Sequence, residues 1–164
     1  MLWKKALVVM MILSMFSLAA CGGDGDGGGT PGSPDEVAQA VMDIYLEGLT
    51  TISGMAENPP SLEEAKAQLE PLKEDMITRL VELGKIRATM NESDQSAIDS
   101  ALLSKFMGVD KEMFDKYNEV LAHYRSQDIG FANFLASINT ITQYADFELL
   151  KEQEPEEAAR LGIE

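Results

Sequence analysis

Two four-residue signatures, Ser33-Pro34-Asp35-Glu36 and Ser61-Leu62-Glu63-Glu64, narrow what this chain can become. Each sets a serine hydroxyl where it can accept the N–H of the third helical residue, and a glutamate where its carboxylate can reach back to the serine N–H, so each starts a helix. Pro34 adds a ring whose fixed φ suits the first helical position. Behind each box the apolar residues recur at intervals of three and four, which lines one face of a helix and does not alternate as a strand does. The first stripe is Val37, Val41, Ile44, Gly48, Ile52 and Met55, and Gly48 within it predicts close approach by a neighbouring helix. Asn58-Pro59-Pro60 stops that helix. The second stripe is Ala65, Leu69, Leu72, Met76, Leu80, Leu83 and Ile86. Pro71 falls inside it, and because the stripe keeps its phase across the proline, a kinked single helix is expected rather than a restart.

The polar segment Met90-Asn91-Glu92-Ser93-Asp94 marks the next boundary. A third stripe follows, Ile98, Leu102, Phe106, Val109, Met113, Tyr117, Val120 and Tyr124, whose constant phase predicts one long helix through Gly108. Gln127-Asp128 offers a turn and an N-cap before the fourth stripe, Phe131, Phe134, Leu135, Ile138, Ile141, Ala145 and Leu149. From Ser33 onward there is one domain's worth of chain, long enough to bury a continuous core. Short connections favour antiparallel neighbours, so the expected fold is all-α, an antiparallel up-down-up-down four-helix bundle over residues 34–152. Residues 153–164 read as an acidic tail in which Pro155 opens either a short helix or a frayed end.

The beginning of the chain is of another kind. Lys4 and Lys5 precede an apolar run, residues 6–18, that ends in Ala19 and Ala20, the basic, apolar and small-residue order of a secretory signal over residues 1–20. Residues 6–20 are too short for a membrane span, which needs roughly 20 residues. Leu18-Ala19-Ala20-Cys21 resembles the lipobox of bacterial lipoproteins in all four positions, and Cys21 is the sole cysteine. The resemblance implies transfer of diacylglycerol to the Cys21 sulfur, cleavage between Ala20 and Cys21, and two or three acyl chains on the new terminus. One chain binds a bilayer only marginally, whereas two or more hold a protein stably. With Cys21 acylated, no thiol is left for a disulfide or a metal site. Lipoproteins retained in the inner membrane of two-membrane bacteria are associated with aspartate after the cysteine. Here that residue is Gly22, which favours the outer membrane if the organism has one.

Residues 21–33 complete the anchor as a tether: the glycine-rich stretch 22–33 cannot bury apolar area and reads as a flexible coil with an r.m.s. span of roughly 20 Å. Asp24, Asp26, Gly29 and Asp35 fall at positions 1, 3, 6 and 12 of a calcium-loop pattern. Gly28 stands at position 5, position 12 holds a shorter acid than glutamate, and the lipid anchor replaces the entering helix, so a plain tether is expected.

All 28 acidic residues follow Cys21, and loss of Lys4 and Lys5 with the signal leaves 11 basic residues and a formal mature charge of −17. Such a surface repels nucleic acid and anionic head groups. It reads first as a solvated face and second as a docking surface for a basic partner.

Helical bundles house metals and cofactors, so the ligands need listing. A ferritin-like di-iron site needs two histidines, each three residues after a glutamate; His123 is the only histidine, and the residue three before it is Val120. His123 with Met42 or Met55 would supply the axial pair of a non-covalent haem, yet one histidine and core methionines are also what an ordinary bundle contains. The methionines are too dispersed for a soft-metal site. Only His123 reads as a base near neutral pH, with Glu119 one turn earlier as its expected partner, and no serine sits in a nucleophile elbow. No catalytic residue, cofactor or metal is therefore expected. The reading is a non-enzymatic, membrane-tethered interaction module of the cell envelope, attached to the bilayer through Cys21 and contacting an envelope protein. The alternative is a carrier or sensor of a small apolar ligand, with packing loosened at Gly48 and Pro71. A filled core beside an apolar surface patch favours the first, and an apolar cavity between helices favours the second.

Overall fold

Both serine boxes close as the sequence requires. Ser33 Oγ accepts the Glu36 N–H at 3.3 Å, while Glu36 Oε2 accepts the N–H groups of Ser33 and Gly32, each at 2.9 Å, and α1 (Pro34–Ser53) begins. Those backbone donors, Gly32 foremost, hold the Glu36 carboxyl below its ordinary range. Ser61 and Glu64 repeat the exchange to open α2 (Leu62–Ala88). In this computed structural model, which describes residues 31–163, there follow α3 (Glu92–Met107), α4 (Lys111–Arg125), α5 (Ile129–Ala136), a 3-10 segment (Ser137–Ala145), α6 (Phe147–Gln153) and α7 (Pro155–Arg160). The described residues are all-helical, with no strand among them. The signal segment, the lipobox with Ala20 and Cys21, and the tether up to residue 30 lie outside the described residues.

All six positions of the first stripe are buried, five of them in α1 and Met55 just beyond its end, and a second set, Ala38, Met42, Tyr45 and Leu49, is buried beside them. The reason is that α1 packs against α2, α3, α4 and the 3-10 segment together. Helix α2 has two apolar faces for the same reason. It lies between α1 and the 3-10 segment, so Ile77, Val81 and Gly84 are buried in addition to Leu69, Met76, Leu80 and Leu83. It passes through the exposed Pro71 as one helix, in keeping with the unbroken phase of its stripe.

The expected third helix is two helices. α3 ends at Met107 with Gly108 as its C-cap, and Asp110 caps α4 by accepting the Glu112 N–H at 2.9 Å. Glycine is a poor helix residue and a following aspartate is a good N-cap, so the chain turns although the apolar phase continues. The expected fourth helix is likewise divided. Ser137 Oγ donates to the Phe134 carbonyl at 2.6 Å and Thr140 Oγ1 to the Ser137 carbonyl at 3.2 Å, and Ile138, Ile141 and Tyr144 are buried every third residue. That interval is the repeat of a 3-10 helix, in which residues three apart eclipse. Asp146 then caps α6. The tail is docked: Ala158 is buried, Leu161 and Ile163 pack on the core, and Tyr144 donates its hydroxyl proton to Glu157 at 3.0 Å.

Two glycines set the interhelical spacing. A Cβ at Gly48 would stand 2.5 Å from Met76 Cε, and one at Gly84 would overlap the Phe147 ring, 2.9 Å from Cζ. The close approach predicted at Gly48 is thus made by α2. Gly84→Ala is expected to destabilise the protein by about 1–3 kcal/mol, because an aromatic ring cannot fold aside. Gly48→Ala should cost less, since Met76 is flexible and the helix gains about 1 kcal/mol in propensity. Urea unfolding midpoints of the two variants provide the comparison.

Candidate functional site

Helix α3 is held differently from its neighbours. Among its residues only Ile98 is buried, while Leu102 and Phe106 are half-buried, the Phe106 ring standing edge-on to Tyr45 at 5.0 Å. Polar ties supply the rest. Arg87, in the last turn of α2, donates from Nη1 to Asp99 Oδ1 at 2.6 Å and from Nη2 to Asp99 Oδ2 at 3.2 Å, and from Nη2 also to Asp146 Oδ2 at 2.9 Å. Asp146 uses its other oxygen to accept the Leu149 N–H at 3.2 Å. One guanidinium therefore fastens α2, α3 and the start of α6, a bidentate geometry that lysine lacks. Arg87 is 9% exposed, whereas the Asp146 and Asp99 side chains are 24% and 55% exposed. Lys105 adds a tie to α1, donating to Gln39 Oε1 at 2.7 Å and lying 3.6 Å from Asp35.

At the C-terminal end of α3 two large apolar side chains reach water. Leu103 and Met107, one turn apart, are 64% and 80% exposed. Beside them Ser104 and Gly108 wall an open groove of ≈ 440 Å³ whose apolar lining is Met42, Leu46, Val109 and Met113. A second open groove, ≈ 880 Å³, is lined by Ala40, Ile44, Leu83 and Ile86 of α1 and α2, and reaches Pro31, where the described chain begins.

The structure distributes the sequence-derived candidates as follows. His123 is exposed on α4, its Nε2 2.8 Å from Gln127 Nε2 and its ring edge-on to Tyr124 at 4.9 Å. Its hydrogen-bond partner is Gln127, one turn later, and not the expected Glu119. Met42 and Met55 are buried in the core, an environment separate from that of His123. Asp35, the last position of the calcium-loop pattern, lies in the first turn of α1, while Asp24, Asp26 and Gly29 are outside the described residues, as are Ala20 and Cys21. Among the described residues no group of three or more His, Cys, Asp or Glu side chains is placed to hold a metal ion.

One pairing could not be read from the chain. Lys73 Nζ donates to Ser137 Oγ at 2.7 Å and lies 5.1 Å from the centre of the Phe134 ring. Burial pushes the Lys73 amine down from its ordinary range, so His123 is not the one base to consider. A serine beside such a lysine is a nucleophile and a base in outline. An oxyanion needs a free N–H alongside, and the N–H of Ser137 is already given to the carbonyls of Asn133 and Leu135 at the end of α5. Comparison with protein-family models, with curated proteins and with solved structures yields no match. The site is therefore read from its own chemistry.

Removing Arg87 should free α3 first. Arg87→Ala is expected to cost about 2–3 kcal/mol, toward the lower end for a broken buried pair because its carboxylate partners are partly exposed. Asp99→Asn, at the wetter end of the bridge, should cost less than about 1 kcal/mol. Hydrogen exchange of Arg87→Ala should show α3 amides losing protection before those of α1 and α2.

Proposed function

We propose that this chain is a bacterial lipoprotein whose mature domain is a non-enzymatic interaction module of the cell envelope. On this proposal it is held on a bilayer through acylated Cys21, on the outer membrane where the organism has one, and presents α3 to an envelope protein. The observation that carries it is the exposed pair Leu103 and Met107, set beside an apolar groove on the helix least buried in the domain. Exposed methionine next to aliphatic side chains is adaptable contact chemistry. Among the described residues no helix is long and apolar enough to cross a membrane, so on this reading attachment falls to Cys21. The carrier alternative draws its support from the two open grooves, but an apolar ligand in either would remain partly in water. In topology we read α1, α2, the α3–α4 pair and the run from α5 to α6 as four antiparallel rods, up-down-up-down. The packing of α1 on α2, α3 and α4, and of α4 on α5, supports that arrangement.

Two measurements test the proposal. Growth with a labelled fatty acid should mark the wild-type protein and leave Cys21→Ser unlabelled; label retained in Cys21→Ser defeats the anchor assignment. Leu103→Glu with Met107→Glu should fold with a stability change within about 0.5 kcal/mol, as expected for exposed positions. The same pair should abolish cross-links formed by the wild-type protein in native membranes, and cross-linking that survives both substitutions removes α3 as the contact helix.

A further inference from the structure

The methionines among the described residues occupy three environments. Met42, Met55 and Met76 are buried, while Met90 and Met113 are partly buried and pack against the core. Met113 is held further by Thr50, whose Oγ1 donates to its sulfur at 3.9 Å. Met107 differs from all of these. It ends α3, is 80% exposed, and stands one turn from the exposed Leu103, beside the groove that Met42 and Met113 line. Its thioether is thus open to water within the apolar surface of α3. A thioether surrenders a lone pair to a two-electron oxidant, and access of that oxidant decides which methionine reacts. Charge selects among oxidants as well. With 28 acidic residues against 13 basic ones, the chain repels anionic oxidants and leaves a neutral hydroperoxide free to approach.

We propose that Met107 is an oxidation site that sets the affinity of the α3 contact surface: a neutral hydroperoxide converts its thioether to the sulfoxide, and the sulfoxide turns the partner away. The sulfur lone pair forms the S–O bond as the O–O bond breaks, so sulfur loses two electrons and the peroxide gains them. With hydrogen peroxide, a proton passes from the transferred hydroxyl to the departing hydroxide, which leaves as water. The product replaces an adaptable apolar side chain by a polar one whose oxygen requires a hydrogen bond. In the free domain water supplies that bond, and the fold is undisturbed. Beneath an apolar partner nothing supplies it, and one unsatisfied acceptor lowers affinity roughly tenfold or more. A seated partner covers Met107, so the oxidant acts on the free module. The effect on binding rests on the reading of α3 as the contact helix, whereas the order in which the methionines oxidise does not.

The test treats the full lipidated protein, in peroxide-free detergent, with limiting hydrogen peroxide and locates sulfoxides by peptide mass spectrometry. Met107 is expected to oxidise first, ahead of Met90 and Met113, with the buried methionines spared and the thermal midpoint of the singly oxidised protein unchanged. Oxidation of Met90 or Met113 as fast as Met107 overturns the proposal. In native membranes the same treatment should lower wild-type cross-linking about tenfold. Each variant is read against its own untreated level. Met107→Leu, which has no sulfur to oxidise, should keep its level through the treatment, and Met113→Leu should lose it as the wild type does. An equal loss in Met107→Leu places the lesion elsewhere, on the partner included, and overturns the proposal. Met107→Gln gives a second measurement free of peroxide: its polar side chain should lower cross-linking by a similar factor, and wild-type cross-linking in this variant also overturns the proposal. Untreated wild-type protein that forms no cross-link defeats the interaction reading instead, and the peptide map then judges Met107 as the oxidation site by itself.

Discussion

The architecture depends on α1 being apolar on two faces. A helix with one stripe seats one layer of neighbours, whereas α1 seats four elements at once, α2, α3, α4 and the 3-10 segment. Its start is fixed by the Ser33–Glu36 exchange, which ends the glycine-rich segment and satisfies helix donors that would otherwise be orphaned. Its closest approach is fixed at Gly48, where the absent side chain admits Met76. The rest of the core is arranged on that contact. α2 turns its second face to the 3-10 segment, and Tyr117 and Tyr124 close the far side by donating to the carbonyls of Leu135 and Pro60 at 2.7 and 2.8 Å. Burial pushes both phenols up, which keeps them neutral donors across the ordinary pH range.

Much of this was legible in the sequence. Every position in the first stripe is buried, both serine boxes cap, and the predicted close contact at Gly48 exists. What periodicity missed has physical causes. A single-face template finds one stripe per helix, so Ala38, Met42, Tyr45 and Leu49 of α1 and Ile77, Val81 and Gly84 of α2 went unassigned, although each is buried. The break at Gly108 left no phase slip because the turn is short, and its signals were the glycine and the aspartate two residues later. The 3-10 segment was legible in principle, since Leu135, Ile138, Ile141 and Tyr144 recur at three, but the same residues fit a 3.6 period well enough to hide it. The candidate site was less legible. The expectation for Cys21 rests on four residues in a row that lie outside the described residues. The Arg87–Asp146 bond and the Lys73–Ser137 bond join residues 59 and 64 positions apart, and no local pattern encodes them.

Arg87 shows how a helix with one fully buried residue is still seated specifically. An apolar contact between α2 and α3 would be stronger per unit area but would accept several registers, because apolar packing has little direction. A guanidinium shared by Asp99 and Asp146 accepts one. Such a bridge contributes little net stability against an apolar replacement, as its groups must first be desolvated. It sets the position of α3 while leaving its attachment shallow, and shallow attachment is characteristic of elements that open locally.

That shallow seat links the two surfaces of α3. Leu103 and Met107 point to solvent, and Asp99 and Leu102, on the same helix, line a small cavity behind it. Anything that binds either face better when α3 is seated must favour the seated position, and by linkage it then strengthens binding at the other face by the same factor. The coupling cannot exceed the free energy needed to unseat α3, since that is the difference both ligands would be reading. With a single residue of α3 fully buried, the ceiling is low, within the range of 1–3 kcal/mol typical of coupled sites. A helix seated this way would respond in graded fashion rather than switch between two states, because a shift from one dominant state to the other needs about 5.5 kcal/mol of differential binding.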